Sequence, residues 1–211
     1  MKSKIRTSDY TIVRKEYDAA YKAGAPFKNP AWFVEEIRRI INKDKKIGKL
    51  LDIACGDGHV VSYFTDNYEC YGIDISKEAI NKAKKIVRGK FFTAKAEKLP
   101  FPNNMFDFVT CLGSLEHFVY MDKALNEMKR VAKKGALIII HVPNSNYIVH
   151  KALGVETQHQ INERFGDAAE WTSILSRYFY VEKILKYNTR WYLKWIPRNY
   201  SCHFTFLCRN K

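Results

Sequence analysis

Apolar and polar positions alternate along the chain in two rhythms, short apolar runs and stretches of helical spacing. Residues 1–28 are polar with scattered aromatics, including Tyr10, Tyr17, Tyr21 and Phe27. Gly24, Pro26 and Pro30 then punctuate the chain, which predicts a short helix and loop. From Ala31 the positions Trp32, Phe33, Ile37, Ile40 and Ile41 recur at helical spacing, so an amphipathic helix is expected there, closed by residues 42–46. A strand over residues 49–53 follows, then a glycine-bearing turn and a helix from His59 to about Asn67. A second strand, residues 70–73, ends on Asp74, and Ser76 is placed to cap the next helix. That helix has Ala79, Ile80, Ala83 and Val87 inside and Gly89 as its stop.

Further strands are predicted at residues 91–94, 106–112 and 136–142. A helix over 122–132, stopped by Gly135, separates the last two. Residues 144–166 read as an irregular polar insertion with His150, His159 and Arg164. Asp167 then caps a helix to about Arg177. Two more strands, 180–187 and 203–208, flank a loop with Trp191, Tyr192, Trp195 and Pro197. Strands alternating with helices at this rhythm indicate an α/β, doubly wound sheet with right-handed crossovers. Such sheets bind ligands beyond the carboxyl ends of their strands, and here those ends carry Asp52, Asp74, residues 94–97, 112–117 and 141–144.

The chain has 211 residues, enough for one such domain with decorations, and no run approaches the ~20 apolar residues of a membrane span. The first residues lack the apolar stretch of a signal peptide, so a soluble, cytoplasmic protein is expected. The five cysteines form no Cys-x-x-Cys pair and mostly sit in apolar runs, which suits buried reduced thiols rather than zinc. The formal charge of +14 is concentrated at the ends: +7 over residues 1–50, +2 over 51–150 and +5 over 151–211. An anionic substrate, a nucleic acid, an acidic membrane surface and a plain lysine-rich surface each fit that distribution.

Residues 50–58, Leu-Leu-Asp-Ile-Ala-Cys-Gly-Asp-Gly, join the first strand to the glycine turn. A dinucleotide loop wants a third glycine three residues after the second, where this chain has Val61, and the acid Asp52 would repel a pyrophosphate. The same acid suits a ligand with an ammonium group and a sulfonium, and Asp74 is spaced to accept the hydroxyls of a ribose. Electrostatics therefore favour S-adenosylmethionine (SAM).

The chain resembles the class I SAM-dependent methyltransferases of the small-domain type. Residues 50–58 resemble the family's first motif, with Ala54 where its first glycine often stands. Tyr71-Gly72-Ile73-Asp74-Ile75-Ser76 resembles the second strand with its ribose-binding acid. Residues 96–102 and Phe106-Asp107-Phe108-Val109 resemble the adenine-side loop and fourth strand, with Lys95 where an acid is usual. Leu115-Glu116-His117, residues 125–132 and Pro143-Asn144 also match. The resemblance covers about residues 45–145. It implies a Rossmann-like, seven-stranded, mostly parallel sheet with an antiparallel C-terminal strand. Residues 1–44 become a helical lid, and residues 145–166 and 188–200 become substrate-side insertions in a single domain.

It also implies that SAM, leaving as S-adenosylhomocysteine, touches Asp52, Ala54, Cys55, Gly56 and Gly58 on the first loop. Asp74, Ile75, Ala96, Glu97 and Leu112 follow on the later strand ends, with Tyr21 from the N-terminal segment. Methyl transfer to oxygen benefits from a base, and transfer to an amine needs that amine neutral. His117 and His159 are the candidate bases, with His141 behind them. Some relatives hold a divalent metal with a Glu and His after the fourth strand, and Glu116, His117 and His159 imitate that only loosely, so no metal is expected.

Residues 112–115, Leu-Gly-Ser-Leu, lack the Pro-Pro-aromatic tetrapeptide of base-amine methyltransferases, and Cys111 lacks the proline of pyrimidine C5 enzymes. A small-molecule acceptor, a metabolite or cell-surface sugar precursor of anionic character, is the favoured expectation, methylated on oxygen or nitrogen. A tRNA or rRNA acceptor held by the basic flanks is the alternative. A SAM-binding protein without catalysis is the third reading.

Overall fold

The computed structural model describes residues 7–24, 29–44, 47–145, 164, 166–187 and 203–211. Two helices, α1 (Tyr10–Lys22) and α2 (Ala31–Lys43), precede the sheet. It is built from β1 (Lys49–Ile53), β2 (Glu69–Asp74), β3 (Lys90–Thr93), β4 (Phe106–Leu112), β5 (Ala132–Pro143), β6 (Phe179–Tyr187) and β7 (His203–Asn210). Helices α3 (Lys77–Ile86), α4 (Met121–Val131) and α5 (Ala168–Ser176) connect them. The strand order is β3-β2-β1-β4-β5-β7-β6. β7 pairs antiparallel with both β5 and β6, so it alone runs against the other six, as the sequence indicated. The order reverses between β1 and β4, which places a crevice at their carboxyl ends.

Strand periodicity explains how both faces are covered. Leu51, Ile138 and Ile140 join a core with α4 and α5 on one face, while Leu50, Leu137 and Ile139 join α2 and α3 on the other. Helix starts follow local chemistry. Asp9 accepts from the Thr11 amide at 2.7 Å, Ser76 from the Ala79 amide at 3.1 Å, and Asp167 forms a capping box with Glu170.

Two elements depart from expectation. The helix predicted from His59 to Asn67 is only a 3-10 turn, Val61–Tyr63, set among turns. β-branched and aromatic residues dominate this stretch. The Ser62 hydroxyl also donates to the His59 carbonyl at 2.7 Å, and i→i−3 bonds such as Phe64 to Val61 replace the α ladder. No full helix dipole therefore faces the glycine loop. Gly135, expected to end a helix before the strand, lies inside β5 at φ +71°. The β4–β5 register slips there, from Phe106 opposite Ala132 to Phe108 opposite Leu137, and glycine accommodates the irregularity.

Cys55, Cys70, Cys111 and Cys208 are free, buried thiols whose burial pushes their pKa values up. Cys202, His150 and the loop with Trp191, Tyr192, Trp195 and Pro197 lie outside the described residues.

Candidate functional site

β1 delivers the chain to the crevice through three alternate left-handed positions: Ala54 at φ +58°, Gly56 at +56° and Gly58 at +83°. Ala54 thus adopts a conformation that suits glycine and costs an L-residue roughly 1–2 kcal/mol. Gly56 is required twice over, because a Cβ there would also collide with the Tyr21 hydroxyl. Its amide donates to Asp74 Oδ2 at 2.9 Å, while the Ser76 amide donates to Asp74 Oδ1 at 2.8 Å. These two bonds fix the carboxylate at the end of β2 and leave it further lone pairs for a ligand's hydroxyls. Gly58 faces away from the crevice. A Cβ there would lie 3.1 Å from Val87 and 3.3 Å from Ala83 and Phe91, so it serves the packing of α3 and β3.

Asp52 and Asp74 are 2% and 6% exposed. Burial lifts Asp52 to about 7, against the hydrogen bond that Thr110 Oγ1 donates to it at 2.6 Å. Burial lifts Asp74 to about 6, opposed by the Ser76 and Gly56 amides. Two acids poised this way in one wall suit a cation that desolvates with them, and are ill suited to a diphosphate.

The wall belongs to a cavity of about 340 Å3 at the carboxyl edge of β1–β4. Asp52, Ala54, Cys55, Gly56, Asp74 and Ile75 line its middle, and Ala96, Glu97 and Leu112 line the side toward β3 and β4. Of the donor contacts named from sequence, all but Gly58 therefore come together, Tyr21 included. Lys95 also lines the cavity, but its ammonium sits 3.7 Å from the Tyr10 ring centre, a cation-π contact that occupies it. Glu97 accepts from the Tyr120 amide at 3.2 Å.

Helix α1 roofs this space with Tyr10, Val13, Tyr17 and Tyr21, spaced three, four and four residues apart on one face. Sequence reasoning took only Tyr21 from this stripe, although its helical spacing was the signal for all four. Polar bonds hold α1 to α3. Asp18 Oδ1 accepts from the Ser76 hydroxyl at 2.7 Å and the Glu78 amide at 3.2 Å. The Lys82 ammonium donates to the Tyr21 carbonyl, and Lys22 lies 3.5 Å from Glu78. Asp18 therefore reinforces the cap of the same helix that Ser76 starts.

The histidines sort differently from expectation. His117 lines the cavity, with Nε2 3.8 Å from Glu116 Oε1 and a side chain 8% exposed. His141 contributes no wall. It is buried between the Phe33 ring, 4.4 Å away, and the stacked His203 ring at 4.8 Å, and its Nδ1 shares a 2.7 Å hydrogen bond with Thr205. Burial holds its pKa well below the usual histidine value, so it packs as a neutral ring. His159 lies outside the described residues. His59, absent from the sequence candidates, does line the cavity, with Nε2 3.0 Å from the Asn29 carbonyl. No local signal announces a pairing across 30 residues. Among the described residues no group of His, Cys, Asp or Glu is arranged to hold a metal. None of the described helices is long and apolar enough to cross a membrane.

Residues 51–140 match the family model described as a methyltransferase domain. Over 99 residues the chain is 34% identical to the methyltransferase YcgJ of Bacillus subtilis, covering 44% of this chain and 39% of that one. Over 102 residues it is 35% identical to the ubiquinone/menaquinone biosynthesis C-methyltransferase UbiE of Burkholderia mallei, covering 44% and 42%. The matched stretch thus spans less than half the length of these curated relatives. The crystal structure of a SAM-dependent methyltransferase from Aquifex aeolicus superposes with a TM-score of 0.64 at 18% identity, covering 97% of this chain and 100% of that one, a likeness of fold. The matched sequence covers β1–β4 and most of β5, and it carries the acids and glycines that line the cavity. With that sheet order and that site, residues 51–140 are thus similar to the methyltransferase domain that the family model describes.

Proposed function

We propose that this protein transfers a methyl group from SAM to the oxygen or nitrogen of a small-molecule acceptor. The observation that carries the reading is the roof: α1 closes the cavity over Asp52 and Asp74 with three tyrosines. A covered site leaves room beside the donor for a compact acceptor, and it excludes the water that would compete with it. A polynucleotide needs a groove that stays open along its length.

When bound, SAM supplies a methyl group already activated by its sulfonium. What remains for the chain is to hold, orient and deprotonate. Asp74 is positioned to accept the ribose hydroxyls, and Asp52 and the 54–56 loop to meet the amino-acid end. Ile75, Ala96 and Leu112 give the base an apolar berth, beside Glu97. Tyr21 lies across Gly56 and closes the loop from above. Cavity-lining imidazoles, His117 among them, are the groups able to take the acceptor's proton. One relative is named a C-methyltransferase, so the acceptor atom here follows from this chain's own groups.

Methyl-labelled SAM incubated with the protein and a fractionated lysate tests the reading. Label is expected in the low-molecular-mass fraction. Label in RNA would transfer the assignment to the basic flanks, and no transfer despite SAM binding would leave a binding protein.

A further inference from the structure

His59 lines the same cavity as Asp52, Asp74 and the loop at residues 54–56. The placement follows from the sheet. Ala96 and Glu97 come after β3, an edge strand, whereas His59 is tied to Asn29, the residue before the Pro30 that caps α2. Phe33 of α2 packs on His141 of β5, which lies four strands along the sheet from β3. His59 is therefore anchored through Asn29 to the start of α2, the helix that packs toward β5, while it lines the cavity.

Its chemistry is set by a single bond. A carbonyl only accepts, so Nε2 carries the hydrogen that it donates to Asn29 O at 3.0 Å. In the neutral ring Nδ1 then presents a lone pair. Nδ1 makes no hydrogen bond to a described residue, and an edge-on contact with the Tyr63 ring at 5.5 Å steadies the plane. His117 is less suited, because its Nε2 already faces the Glu116 carboxylate within a nearly covered side chain.

We propose that His59 Nδ1 is the proton acceptor of the methyl transfer, and that the acceptor is a hydroxyl or a protonated amine rather than a carbon. This rests on the function proposed above. The acceptor's O–H or N–H bond breaks and its proton bonds to Nδ1. The lone pair so freed bonds to the methyl carbon, and the C–S electron pair returns to sulfur. The products are the methylated acceptor, S-adenosylhomocysteine and an imidazolium that later releases its proton to solvent. Asn29 is a positioning residue, since its carbonyl fixes the tautomer.

The test uses the full chain with its histidine rings 15N-labelled, titrated with two probes. S-adenosylhomocysteine leaves the methyl position empty, and sinefungin places an amine there. In the free protein the His59 ring should show Nε2 protonated and Nδ1 bare. At fixed pH, sinefungin should shift the His59 Nδ1 resonance clearly, and S-adenosylhomocysteine should shift it much less. Equal responses to the two probes, or the opposite tautomer, would overturn the proposal. In the labelled-SAM assay, His59→Gln should keep the thermal shift given by SAM while losing about 100-fold or more of the transfer rate, with the fall at low pH gone from its residual activity. Loss in His117→Gln with His59→Gln unaffected would assign the base to His117. Absence of a SAM shift in the unaltered protein would remove the methyltransferase reading itself, a failure separable from that of His59.

Discussion

The site has two regions, and they are built by different means. At the donor end, the candidate residues other than Tyr21 sit at the end of a strand or in the turn or loop that follows it. The segment that carries Asp52 also carries the left-handed turn beside it, and Asp74 lies two residues from the Ser76 cap it bonds. Around His59 and the start of α2, contacts join distant segments: Asn29 with His59 and Phe33 with His141. The donor end is thus written in local motifs and the surroundings of His59 in tertiary structure. The same sheet can keep one ligand while its flanking helices are exchanged to suit another.

Three substitutions probe that contrast, the strongest first. Asp74→Ala removes a ligand anchor and orphans the buried amides of Gly56 and Ser76. SAM affinity should fall about 100-fold or more, with a stability loss of about 1–3 kcal/mol, read by calorimetry and thermal unfolding. Comparable loss from a change such as His59→Gln, and none from Asp74→Ala, would erase the division. Asp18→Ala unlatches the roof and also removes a negative charge near Asp74. A stability loss of about 1 kcal/mol, a lower Tm by a few degrees and a faster release of SAM are expected, and an unchanged release rate would show that α1 does not close the site. Ala54→Gly relieves left-handed strain but restores backbone freedom to the unfolded chain. The net effect should be a gain of less than about 1 kcal/mol with SAM binding kept, and a clear loss of stability would mean that the Ala54 methyl group packs in the wall.

The donor end was accordingly legible in the sequence. Asp52, Ala54, Cys55, Gly56, Asp74, Ile75, Ala96, Glu97 and Leu112 line one cavity, and β7 runs against its neighbours. Gly58 was read as a ligand residue because turn glycines that meet a ligand and those that meet a helix look alike until α3 is in place. The failed helix after the glycine loop shows propensity yielding to side-chain and i→i−3 bonds. The hidden role of His141 shows that a histidine at a strand end is a wall residue only if no neighbour covers it, and here Phe33 and His203 do.

The two buried acids make the central claim measurable through their protons. Both hold a proton more tightly folded than unfolded, where an aspartate titrates near about 3.9. Their contribution to the stability of the ligand-free protein is full below that pH. It is lost as pH rises through about 6 for Asp74 and about 7 for Asp52. A cationic ligand against them prefers both carboxylates charged, so binding should expel protons in that window. Calorimetric titration of SAM at pH 6.5, repeated in buffers of different ionisation enthalpy, is the direct measurement. The account predicts one site, net proton release, and tighter binding at pH 8 than at pH 5.5. Binding with no proton release and no dependence on pH would show that SAM does not sit against Asp52 and Asp74.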